Sequence, residues 1–262
     1  MLLQDKVIII SGIGPGMGKE LAIEAAKQGA KLAIAARTAS KLDDSEAELR
    51  ELGLDNAIIK VPTDISDKAQ CQNLVDKTIA AFGRIDCLIN SAYNPGPFAP
   101  IESADLNGWR EALDVNLFGT IQLTQAVIPH MKAAGGGAIV MINTMVTRKP
   151  LAGQGGYATS KSALTSATAH LALELGQYNI RVNSAYMGWM MGPPVESALK
   201  MMAKGYGSDY ETVKADVEKT IALGKIPDDA DCAKAAIFLA SDYACAITGA
   251  ALDVNGGEFF PR

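Results

Sequence analysis

Lys6-Val7-Ile8-Ile9-Ile10-Ser11-Gly12-Ile13-Gly14-Pro15-Gly16-Met17-Gly18 joins a short aliphatic run to a turn carrying four glycines, and a helix-like stretch, Lys19–Gln28, follows at once. Strand, glycine turn and helix in that order form the unit with which an α/β protein holds a dinucleotide. The glycines let the backbone turn sharply and approach a pyrophosphate. The first N–H groups of the helix, which have no partner within it, meet the negative charge. Gly12, Gly14, Gly16, Met17 and Gly18 are therefore candidate cofactor contacts.

Outward from this unit the same alternation continues. Aliphatic runs recur at Lys31–Ala36, Ala57–Val61, Cys87–Asn90, Ala138–Asn143, Arg181–Ala185 and Ala250–Val254. Amphipathic stretches lie between most of them, among them Ser40–Leu52, Lys68–Phe82 and Ala158–Tyr178. This pattern predicts right-handed βαβ units in an α/β, doubly wound fold: a parallel sheet of about seven strands with helices on both faces. Gly29, Gly53, Gly83 and Gly135–Gly137 stand where helices are expected to end. No linker or repeat interrupts the pattern, so residues 1–262 read as a single nucleotide-binding domain. One stretch, 192–225, is longer than a simple crossover. It carries Gly192-Pro193-Pro194, Met201 and Met202, and reads as a lid or substrate-binding insertion.

Composition narrows the class. Hydrophobic residues make up 48% of the chain and aromatic ones only 6%, which suits an aliphatic core of buried parallel strands. The net charge of −5 is spread without long runs, which argues against a nucleic-acid or polybasic membrane surface. The four cysteines lie far apart and there are only two histidines, so no metal site is expected, and reduced thiols in a cytoplasmic protein are. The first apolar run is too short for a signal peptide, and no stretch approaches the ~20 apolar residues that span a bilayer.

Two further segments carry chemistry. The second aliphatic run ends in Ala35-Ala36-Arg37. A carboxylate there would hold the ribose hydroxyls of NAD and repel a 2′-phosphate; Arg37 instead pairs with that phosphate or stacks on adenine, so NADP is expected in preference to NAD. In Tyr157-Ala158-Thr159-Ser160-Lys161 the spacing of four puts Tyr157 and Lys161 on one helix face. A free tyrosine, with a pKa of about 10, is a poor base at neutral pH, and a neighbouring ammonium favours its phenolate. Tyr157 could then exchange a proton with an alcohol oxygen as a hydride leaves or arrives. Thirteen residues earlier, Thr144 closes the run Ala138–Asn143, where its hydroxyl could bond a substrate oxygen at the carboxyl edge of the sheet. Asn116 stands inside a helical stretch and is a candidate for a polar relay.

Taken together, the chain resembles the short-chain dehydrogenase/reductase family over almost its whole length. The resemblance rests on Gly12/Gly16/Gly18, Thr63-Asp64, Asn90-Ser91-Ala92, Asn116, Tyr157/Lys161, Arg181-Val182-Asn183-Ser184, Thr248-Gly249 and Asn255-Gly256-Gly257. It implies a Rossmann fold and an oxidoreductase that exchanges a hydride between NADP or NAD and an alcohol or ketone. It also implies a catalytic set of Thr144, Tyr157, Lys161 and Asn116, with Lys161 holding the nicotinamide ribose as well. Asp64 is expected at the adenine edge and Asn90 supporting the loop near the cofactor, with Ile65, Ala92, Gly188 and Met190 as further cofactor contacts. Most relatives are homotetramers or dimers built through two long helices, here matching Asn107–Ala134 and Gly155–Tyr178. The chain departs from the family pattern at Thr144, usually serine, at Tyr93, usually glycine, at Met187, usually proline, and at Gly192, often threonine.

Tyr93, Met145, Met187 and Trp189, with Met190 and Met191, are expected at the active-site rim. Thioethers and rings there suit a bulky apolar alcohol or ketone. Arg148 and Lys149 are candidates for an anionic substrate tail. The competing readings are a 3-oxoacyl-(carrier protein) reductase-like enzyme, which needs a basic entrance, and a non-catalytic cofactor-binding regulator. An enoyl reductase would use a wider Tyr–Lys spacing.

Overall fold

The computed structural model describes residues 1–260. Seven strands form one parallel sheet in the order β3-β2-β1-β4-β5-β6-β7. They are β1 Val7–Ser11, β2 Lys31–Ala36, β3 Ile58–Pro62, β4 Cys87–Asn90, β5 Gly137–Thr144, β6 Ile180–Met187 and β7 Ala251–Val254. The helices are α1 Met17–Lys27, α2 Ala39–Glu51, α3 Lys68–Phe82, α4 Leu106–Leu113, α5 Thr120–Ala133, α6 Gly155–Leu175, α7 Pro193–Tyr206, α8 Tyr210–Glu218 and α9 Asp229–Ala240.

β1 shows how the sequence builds two faces. Its side chains alternate across the sheet. Ile8 and Ile10 enter a core with Leu21 and Ala25 of α1 and Ala233 and Ile237 of α9. Ile9 enters the other, with Leu74 of α3, Leu123 and Val127 of α5, and Leu164 of α6. All three isoleucines are fully buried, and each contributes about 1.5–3 kcal/mol by leaving water. Helices thus cover both faces, and every strand pair is parallel. β1 lies between β2 and β4, so the chain crosses to opposite sides of it, and a crevice opens there at the carboxyl ends of the strands.

Element boundaries fall close to the sequence pattern, with two differences. β5 and β6 extend to Thr144 and Met187 and pair over eight residues, which brings both side chains to the carboxyl edge. The long helix expected over Asn107–Ala134 is broken into α4 and α5 by a π-helical turn, Asp114–Gly119. That turn packs on the loop after β3 so closely that a Cβ at Gly119 would fall 2.9 Å from the Ile65 carbonyl oxygen. α3 starts on Asp67, whose side chain accepts from the Ala69 and Gln70 amides, and ends on Gly83 at φ 78°.

The 192–225 insertion becomes α7 and α8. Leu199, Ala203, Val213, Ile221 and Ile226 form a small core of their own, with Trp189, Met191 and Met202 packed against it. Among the described residues no helix is long and apolar enough to cross a membrane.

Candidate active site

A cavity of about 560 Å³ occupies the crevice, running from the end of β2 past the glycine loop to the end of β5. The glycine loop is fitted to its neighbours. A Cβ on Gly12 would fall 2.2 Å from the Ala92 nitrogen, and one on Gly18 would fall 2.2 Å from the Gly12 oxygen. Gly14, by contrast, faces open space. The Met17 and Gly18 amides at the start of α1 have no partner among the described residues. Backbone without side chains, free N–H groups and a helix N-terminus suit a pyrophosphate, so the residues present fit a dinucleotide cofactor. Gly12, Gly14, Gly16, Met17, Gly18, Arg37, Asp64, Ile65, Ala92, Gly188 and Met190 all line the cavity.

At the β2 end, Arg37 is joined by Thr38 and Lys41. The sequence reading missed both: Thr38 stands at the N-cap of α2 and Lys41 is its third residue, and only the fold brings Lys41 to the same end of the cavity as Arg37.

At the other end Thr144, Tyr157 and Lys161 share one wall. β5 delivers Thr144 in an extended conformation, φ −139° and ψ 145°. α6 delivers Tyr157 and Lys161. The start of α6 lies tight against Trp109 of α4: a Cβ on Gly156 would fall 2.7 Å from the indole. The Lys161 ammonium donates to the Ile142 carbonyl at 2.8 Å. Full burial lowers its pKa to about 8, which leaves it largely charged at neutral pH. Tyr157 differs from expectation. Burial pushes its phenol well above the ordinary value, Tyr93 adds to the rise, and a hydrogen bond with Thr144 opposes it. Desolvation of the phenolate dominates, and the Lys161 ammonium is turned to a backbone carbonyl. The Tyr93 ring stands edge-on to Tyr157 with centroids 6.2 Å apart, so this departure from the family pattern places a second phenol at the site.

Several expected residues lie elsewhere. Asn116 is fully buried behind the cavity wall. Its side chain accepts from the Asn94 amide at 2.7 Å, and donates to the Asn94 carbonyl and the Ser160 hydroxyl at 2.8 Å each. Its amide thus clamps the loop after β4 to α6. Asn90 donates to Thr124 and to the Met141 sulfur, away from the cavity. Met145 is buried under the short turn after β5. Trp189 packs on the small α7–α8 core and does not line the cavity. Of the four expected substrate contacts, Tyr93 and Met187 line the cavity. Arg148 and Lys149 are paired with Asp253 and Glu258, so neither charge is free for a substrate. Pro95, Phe98, Gln154, Val195 and Asp229, which carried no sequence signal of their own, complete the wall.

A family model described as enoyl-(acyl carrier protein) reductase matches residues 12–258. An uncharacterized short-chain type dehydrogenase/reductase of Sinorhizobium fredii is 31% identical over 98% of this chain and 98% of its own. Levodione reductase of Leifsonia aquatica is 29% identical over 97% of this chain and 94% of the relative. The solved structure of L-sorbose reductase from Gluconobacter frateurii, complexed with NADPH and L-sorbose, matches with a TM-score of 0.93 at 26% identity, covering 100% of both chains.

Proposed function

The chain belongs to the short-chain dehydrogenase/reductase family, and on that footing we propose that Thr144, Tyr157 and Lys161 carry its chemistry. The protein is an NAD(P)-dependent oxidoreductase acting on alcohol and ketone carbons. Bound along the glycine loop, the nicotinamide cofactor supplies the carbon that takes or gives the hydride and, when oxidised, a positive charge. Tyr157 passes a proton to or from the substrate oxygen, and the Thr144 hydroxyl holds that oxygen by a hydrogen bond. Lys161 contributes a buried positive charge that favours the Tyr157 phenolate and has donors left for a cofactor ribose. Asn116 acts indirectly, by fixing the loop that carries Tyr93 and Phe98 against α6.

The observation that carries this reading is the convergence of Thr144, Tyr157 and Lys161 at one end of a cavity whose other end is the glycine loop and Arg37. The description of the matching family model names an enoyl reduction, but the four-residue spacing of Tyr157 and Lys161 sides with carbinol chemistry. The carrier-protein and regulator readings are less favoured: the named relatives are dehydrogenases and reductases, and the hydroxyl, phenol and ammonium are all in place. Arg37 and Lys41 favour NADP over NAD. Tyr93, Pro95, Phe98, Met187, Met190 and Val195 favour a bulky, largely apolar substrate, held under α7 and α8 as a lid. A homotetramer or dimer in the cytoplasm completes the reading. Its support is the exposure of Phe118 on the π turn and Leu173 on α6.

The test is oxidation of NADPH and NADH, side by side, with a panel of cyclic ketones and one 3-oxoacyl thioester. Turnover of a cyclic ketone is expected, and Tyr157→Phe should abolish nearly all of it while cofactor still binds. Unchanged turnover in Tyr157→Phe would remove that residue from its role.

A further inference from the structure

Asp229 opens α9, and its carboxylate lies in the cofactor cavity. Gly192 makes room for it, and Gly16 lies in ordinary contact beside it. A Cβ on Gly192 would fall 2.2 Å from Asp229 Oδ2, and one on Gly16 would fall 3.6 Å from the same oxygen. Gly192 is extended, at φ −179°, a conformation any residue adopts, and the space a side chain would take there is held by the Asp229 carboxylate. Asp229 therefore fills the side-chain space of residue 192 and faces the N-terminal end of α1, where the free Met17 and Gly18 amides await an anion. The backbone fixes it there: the Asp229 amide donates to the Met191 carbonyl at 3.1 Å, and the Met191 amide to the Pro227 carbonyl at 2.7 Å.

The surroundings offset its charge only in part. Its Oδ1 accepts from the Ala230 amide at 2.9 Å. From α1, Lys19 and Glu20 face it, and Asp228 adjoins it on its own segment. Lys19 is engaged by Glu48 of α2 at 3.0 Å and by Glu20 at 3.8 Å. The Cys232 thiol lies one turn along α9. Burial raises the Asp229 carboxyl above its ordinary range, and burial together with Asp229 does the same to Glu20.

We propose that Asp229 is an electrostatic brake on cofactor binding: its carboxylate shares the cradle with the dinucleotide pyrophosphate, so the cofactor enters together with a proton taken from solvent onto Asp229. This inference rests on the dinucleotide reading of the cavity. The bound anion favours the neutral acid, so the carboxyl pKa is higher in the complex than in the free protein. Affinity is then flat and greatest below the free-protein pKa, falls as pH rises towards the pKa of the complex, and is flat again above it.

Titration calorimetry of NADPH and NADH, at several pH values and in two buffers of different ionisation enthalpy, tests it. The natural protein should take up protons on binding, and affinity should fall with rising pH. In Asp229→Asn both effects should vanish, and affinity at the alkaline end should rise by roughly tenfold, the equivalent of one pKa unit of coupling. Asp228→Asn, a neighbour that does not line the cavity, should leave both effects in place. Weaker binding in Asp229→Asn would mean that the carboxylate accepts a hydrogen bond from the cofactor, and would overturn the proposal. Unchanged proton uptake in that variant would overturn it too. Failure of the natural protein to bind either cofactor would overturn the dinucleotide reading itself.

Discussion

At Arg37 and Lys41 two cations four residues apart converge on the end of the cavity where β2 passes into α2. A charge-assisted hydrogen bond to a phosphate contributes about 1.5 kcal/mol or more, so Arg37→Ala or Lys41→Ala should each weaken NADPH by roughly tenfold and leave NADH nearly unchanged. Equal losses for both cofactors, measured by fluorescence titration, would show that these side chains read adenine and not a phosphate. Arg37 was legible because a strand end after a glycine loop has a known place in such a sheet. Tyr157 and Lys161 were legible because helical spacing alone puts them on one face. Trp189 and Met145 were misplaced for the opposite reason. A rim position in the chain does not say which way the side chain turns, and the α7–α8 core and the turn after β5 claimed these two. Asp229 gave no signal, because its meaning lies in the space beside Gly192 and in the glycine loop at Gly16, to which only folding brings it.

Among the elements, the π turn Asp114–Gly119 matters most to the site, and it separates two roles for Asn116. As the clamp between the loop after β4 and α6, Asn116 makes three short hydrogen bonds in the interior. Asn116→Ala leaves the Asn94 amide and carbonyl without these partners, while the Ser160 hydroxyl keeps its bond to the Tyr157 carbonyl, at a cost of about 1–3 kcal/mol in stability. A lower Tm and a higher KM, from loosening of Tyr93, Pro95 and Phe98, are then expected with kcat reduced less. A normal Tm and KM with kcat alone lost would restore the proton-relay role. Propensity could not reveal the π turn in a stretch with a continuous helical pattern. It coincides with a long-range contact, Gly119 against the backbone of Ile65, that local sequence does not encode.

For the whole molecule, the charges of Arg148 and Lys149 are consumed in pairs with Asp253 and Glu258, which tie the turn after β5 to β7 and the segment following it. On the outer helix faces Leu173 is 81% exposed and Phe118 56%, apolar side chains that a second subunit packed on these helices would cover. Sedimentation velocity should therefore find dimers or tetramers, and Leu173→Glu should shift the distribution towards monomer; a monomer at all concentrations would show that these faces stay open. The sequence by itself determined the alternation of strands and helices, the glycine loop, the 192–225 insertion and the tyrosine–lysine face, since each is written in short-range periodicity or spacing. The tertiary structure alone decided the π turn, the clamp role of Asn116, the pairing of Arg148 and Lys149, and the entry of Asp229 into the cavity. Each of these depends on which distant backbone a residue meets, and on the burial that packing imposes, neither of which is encoded locally in the chain.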